Sequence, residues 1–245
     1  VLAGSGRLSS NVYVGGLLGE ATDTTISGSI LEIEVQFDVD FTSSSYIGGI
    51  IGYATTSTIN SSSDRETELT FTITQAKTNR TFTYIGGAIG YLIGDDSRSS
   101  GIFEATVDVS FNNIYASNLG GLIGFMSRAT VQESTVNGNI THTGISNSTN
   151  IGAVAGTSQS GIISQNNINL TFDIGITNAS STIYIGAVAG RLTTTGSLDC
   201  QVLDCVIAYE FVDCTVLSST DIQSIGIYGY SSQTNVIVSG CTQRS

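Results

Sequence analysis

Tyr46-Ile47-Gly48-Gly49-Ile50-Ile51-Gly52 is one of seven versions of a single phrase, and its recurrence decides the fold. The others open at Val14, Ile85, Leu119, Ile151 and Ile185, with a shortened Ile225-Gly226-Ile227-Tyr228-Gly229 near the end. Their first glycines are Gly15, Gly48, Gly86, Gly120, Gly152, Gly186 and Gly226, in steps of 32 to 40 residues. A period of that size, sustained from end to end without a linker, is the sequence signature of a solenoid. Residues 1–245 therefore read as one elongated domain.

Each phrase is followed by a polar turn, a short strand and a longer strand with two-residue alternation. Leu31, Ile33, Val35, Phe37, Val39 and Phe41 alternate with Glu32, Glu34, Gln36, Asp38 and Asp40. Phe103, Ala105, Val107, Val109 and Phe111 repeat the pattern. Such alternation predicts a strand with one buried face. The short strand enters corners such as Ile26-Ser27-Gly28-Ser29, Ile59-Asn60-Ser61-Ser62 and Val131-Gln132-Glu133-Ser134, whose residue types suit turns. Three strands and three corners in ~35 residues predict an all-β parallel β-helix of about seven repeats. At ~4.8 Å per coil the rod is on the order of 30 Å long, or twice that with two coils per repeat.

Read as one straight strand, the phrase has a second implication. Its fifth position is apolar and inward, yet so is its fourth, which parity sends to the opposite face. Leu17, Ile50, Leu122, Val154 and Val188 are thereby expected to form an outward apolar stripe covered by a partner, an assembly interface.

Composition narrows the function classes. A net charge of −12, with Lys77 the single lysine beside seven scattered arginines, leaves no basic patch for a phosphate backbone. Nucleic acid is a poor partner. Ser and Thr make up about a quarter of the chain, but 40% hydrophobic content with 11% charge is too apolar for disorder. Proline is absent, as suits a backbone committed to sheet ladders. No stretch is apolar for the ~18 residues of a membrane span. Starting at Val1 without methionine, the chain reads as a processed form or a fragment.

The phrase with its Ser/Asn corner and variable strand resembles the GLUG motif of large bacterial and protist surface proteins. The best matches are Gly15 to Gly19, Gly48 to Gly52 and Gly120 to Gly124; Ala153 and Ala187 depart mildly and the last repeat strongly. The resemblance implies a β-solenoid on the cell surface, in company with adhesin-like proteins and peptidase-bearing chains. No catalytic residue belongs to the motif.

Six sequons, at Asn60, Asn79, Asn139, Asn147, Asn169 and Asn178, predict a secreted glycoprotein. Cys200, Cys205, Cys214 and Cys241 all fall in the last two repeats, where disulfides would staple an end against fraying. Adjacent-coil bridging of Cys241 to Cys200 or Cys205 is the expected pairing; zinc lacks the paired Cys spacing it needs. His142 reads as an inward packing residue. Asp38 with Asp40, Asp95 with Asp96, and Asp199 with Asp204 are candidate acid–base or calcium pairs, although outward carboxylates usually serve solvation. No cofactor or metal is implied.

These readings converge on a non-enzymatic extracellular structural protein. With no amphipathic helix to cap either end, its β-helix would continue in a longer chain or stack head to tail into a surface filament. An adhesin stalk that binds glycans is the alternative, ahead of ice binding or polysaccharide cleavage.

Overall fold

The computed structural model describes residues 2–8, 11–41, 44–75, 82–112, 114, 116–143, 149–176, 182–216, 222–231, 233 and 235–244. All regular structure among them is β, and the repeated strands pair in parallel, each with its counterpart one repeat away. Every repeat makes one coil of a β-solenoid, which settles the rod at the shorter of the two expected lengths. Among the described residues no helix is long and apolar enough to cross a membrane.

Three sheets run along the rod. The long sheet stacks the alternating strands, Ile30–Phe41, Thr67–Gln75, Ala105–Asn112, Thr135–Thr143, Asn167–Ile176 and Val206–Val216, between Leu2–Leu8 and Thr242–Gln243. The short sheet stacks three- and four-residue strands from Thr25–Ser27 to Val236–Ser239. Like sits on like. Ile59, Ile102, Val131, Ile163 and Val202 form one buried column of the short sheet. Ile73, Phe111, Ile140 and Phe172 form another in the long sheet. Burial of such side chains is worth roughly 1.5–3 kcal/mol each, so the stacked columns are the main source of cohesion.

The third sheet carries the glycine phrases and is creased. Strands Ser45–Gly48 and Ile51–Thr55 are separate limbs joined by a bend at Gly49 and Ile50, and the same break recurs in other coils. The limbs touch backbone to backbone. A Cβ at Gly48 would stand 2.7 Å from the Gly90 nitrogen, and one at Gly52 only 2.5 Å from the Val14 nitrogen and 2.8 Å from the Tyr46 carbonyl oxygen. Gly49 makes room on the inner side, where a Cβ would stand 2.5 Å from Phe71 Cε1 and closer still to Cδ1 of the same ring.

This crease corrects the expected outward stripe. The parity argument assumes a straight strand, but the bend turns the fourth position back into the protein. Ile50, Leu122, Val154 and Val188 are fully buried in the core, and only Leu17, in the first coil, is exposed, at 54%. Their burial is internal. They are core residues and offer no surface to a partner.

Most of the remaining corners are turned by one residue of left-handed backbone. Asp23, Thr56, Arg128 and Ser160 occupy one corner with φ from 47° to 51°; Glu104, Glu133, Gln165 and Asp204 occupy the other, flanked by Gly28 and Gly240. A non-glycine residue there costs about 1–2 kcal/mol. Corner amides offset it by donating to the next coil, as from Glu133 N–H to the Ser164 carbonyl and from Gln165 N–H to the Leu203 carbonyl. Buried Asn166 completes the second corner. Its Oδ1 accepts from Ser134 N–H at 3.0 Å and its amide donates to the Val131 carbonyl at 3.0 Å.

Candidate functional surface

The crease also organises the outer surface, because residues flanking each phrase emerge side by side. Tyr13, Tyr46 and Tyr84 are in register on one limb. Tyr53, Tyr91 and Phe125 are in register on the other. Within the columns the rings stack, at 5.2 Å for Tyr46 and Tyr84, 5.4 Å for Tyr53 and Tyr91, and 4.6 Å for Tyr91 and Phe125. Between columns they meet edge to face, at 4.9 Å for Tyr84 and Tyr91. The result is a six-ring zipper along the rod, and such pairs add ~0.5–1.5 kcal/mol beyond burial. Desolvation, with neighbouring Tyr84, Tyr53 and Tyr46, pushes the Tyr91 phenol up to about 12, and burial raises Tyr84. The Tyr84 and Tyr91 phenols stay neutral.

Past Phe125 the zipper changes character. The first column continues as Asn118, Asn150 and Tyr184, and the second as Thr157, Arg191 and Tyr230. Thr157 Oγ1 donates to Asn118 Oδ1 at 2.6 Å, and the Asn150 amide donates to the same oxygen at 2.9 Å. The Arg191 guanidinium lies 5.8 Å from the Tyr230 ring centre. A cavity of about 250 Å³ opens here, between Phe125 on one side and Arg191 on the other.

The residues singled out from sequence are scattered by comparison. Cys200, Cys205 and Cys241 are free thiols, so the expected disulfides are not formed among the described residues; the Cys214 side chain lies outside them. Cys200 and Cys205 occupy different corners of one coil and serve as small buried side chains. Cys200 Sγ lies 3.3 Å from Ser158 Oγ, and Cys205 takes the place that Asn166 fills one coil earlier. Burial raises both thiols, Cys205 to about 11. Cys241 stacks on Cys205 in the next coil, where Thr242 N–H donates to the Cys205 carbonyl at 2.9 Å.

His142 is fully buried in the long sheet, where desolvation lowers it to about 4. It is a neutral packing residue. Asp95 accepts from Ser97 and is lowered by it, while Asp96 pairs with Arg128 at 3.1 Å. Asp199 and Asp204 flank strand Cys200–Leu203 at opposite corners and do not meet. Asp38 and Asp40 have side chains outside the described residues, and among the described ones no three His, Cys, Asp or Glu gather as a metal cluster.

Of the sequons, Asn169 is exposed and Asn139 half-buried on the outer face of the long sheet. Asn60 is half-buried, with its Oδ1 buried and unpartnered. Asn79, Asn147 and Asn178 lie outside the described residues. The aromatic zipper was missed from sequence although its signal is present: an aromatic precedes the phrase at Tyr13, Tyr46 and Tyr84 and follows it at Tyr53, Tyr91 and Phe125. No family model, curated protein or solved structure matches the chain.

Proposed function

We propose that the chain is a non-enzymatic structural solenoid of the cell exterior, glycosylated on its outer face and working as a rod within a surface filament or stalk, with copies stacked head to tail. The observation that carries this reading is coil-to-coil hydrogen bonding through both turn-forming corners as well as the strands. That arrangement makes a stiff rod with nearest-neighbour cohesion. Outward Asn169 and Asn139 and the GLUG-like phrase support an extracellular setting. The buried fourth positions remove lateral packing through the phrase from the reading, so assembly runs along the axis. Electron microscopy of purified protein at high concentration is expected to show rods of varied length, with a mass that falls on glycosidase treatment. Uniform monomers would contradict the filament.

A second reading, glycan binding by an adhesin-type module, is favoured by the aromatic zipper and the polar step at its end. Rigid tyrosines present large amphipathic area at low entropic cost. The acidic chain around them makes nucleic acid an unsuitable partner for the same rings.

A further inference from the structure

We propose that the step in the aromatic zipper at Thr157 is a binding slot for one six-membered sugar ring bearing a carboxylate, held as the missing rung between Phe125 and Arg191; this rests on the glycan-binding reading.

The register defines the slot. Phe125, Thr157 and Arg191 are direct neighbours on three successive strands. Successive rungs lie about 4.8 Å apart, so Phe125 and Arg191 are separated by about 9.6 Å, with only a threonine between them. Rings elsewhere in the zipper stack at 4.6 to 5.4 Å. A ring placed at the Thr157 level would therefore sit at stacking distance from both neighbours. The cavity of about 250 Å³ opens at this level.

The chemistry of the walls selects the ring. Phe125 offers an apolar face for the C–H face of a pyranose, and Asn150 and Gln159 offer amides at its rim for hydroxyls. Asn150 keeps a second amide hydrogen beside its bond to Asn118 Oδ1, and Gln159 keeps its amide nitrogen while Oε1 accepts from Ser127, so an aromatic guest would leave those donors unused. Arg191 is the cation of the slot, in a chain of net charge −12. Its Nε is buried with no hydrogen-bond partner. Such a donor is costly to leave unmade, and the guanidinium fork matches a carboxylate in bidentate fashion. Its stacking on Tyr230 holds the fork in place.

Titration calorimetry with trigalacturonate, beside the neutral trisaccharide galactotriose, tests the slot. Trigalacturonate is expected to bind at least tenfold more tightly than galactotriose, and Arg191→Gln to erase that preference. Thr157→Tyr supplies the missing rung from within and is expected to abolish binding of both. Thermal unfolding shows whether each variant folds; if Thr157→Tyr does not, Arg191→Gln carries the test alone. Equal binding of the two sugars, unchanged by Arg191→Gln, overturns the acidic-sugar slot while leaving glycan binding in place. Binding that survives folded Thr157→Tyr overturns the slot and moves the glycan elsewhere. If no carbohydrate on a glycan array binds the wild-type chain, the glycan-binding reading fails and the slot with it.

Discussion

Gly90→Ala is expected to destabilise the protein by about 3 kcal/mol or more, although it adds a single methyl group. The new Cβ would stand 2.6 Å from the Gly52 carbonyl oxygen and 2.8 Å from the Ile47 carbonyl carbon, and closer still to the Ile47 nitrogen. All three are backbone atoms, held by strands that are themselves paired on both sides. No rotamer change can relieve the contact. The crease must open, and the coils above and below open with it. Gly196→Ala is the matched control: its Cβ would meet nothing within 4 Å, and its φ of +66° leaves only the left-handed backbone cost of about 1–2 kcal/mol. Denaturant unfolding of the two variants measures the difference. Equal midpoints would mean that the limbs do not touch.

Lowering the pH from 8 to 5 is expected to remove about 2 kcal/mol of stability through His142 alone. In the folded chain burial lowers this side chain from 6.5 to about 4. Above pH 6.5 the imidazole is neutral in both states and contributes no pH dependence. Between 6.5 and 4 the unfolded chain takes up a proton that the folded chain refuses, so stability falls as pH falls, by about 1.4 kcal/mol per unit once well inside that window. His142→Leu keeps an apolar side chain in the same long-sheet column and removes the titrating group. Chemical unfolding from pH 8 to 5 should give a sloping stability for the wild type and a flatter one for the variant. Parallel slopes would place the histidine in contact with water.

The stacked columns were legible because strand periodicity and repeat length are both local signals. Ile26, Ile59 and Val131 enter the same kind of corner at the same offset from their glycine phrases, and the structure puts them in one column. The crease was not legible by parity, since parity assumes an extended strand and the chain bends at the third and fourth positions of the phrase, at Ala153 and Val154 as at Gly49 and Ile50. Its signature lay in the glycines themselves. Six of the seven phrases keep glycine at both the second and sixth positions, the two places where the facing limb leaves no room for a Cβ, while the third admits Ala153 and Ala187. Cysteine clustering suggested a staple, but a buried corner also accepts a thiol as a small apolar group, and Cys200 and Cys205 are used that way. The binding slot depends on a substitution down a column, Phe125 to Thr157 to Arg191. Residues about thirty apart become a column only once the register is known.

Spin labels at Glu34 and Glu210 test one coil per repeat most directly. Both side chains are exposed on the long sheet, and the register joins them through Thr72, Ser110, Asn139 and Thr171 in five interstrand steps. Pulsed electron–electron resonance should give a narrow distribution centred near about 24 Å. A distance near about 48 Å, or one spread over the whole accessible range, would contradict the single-coil solenoid.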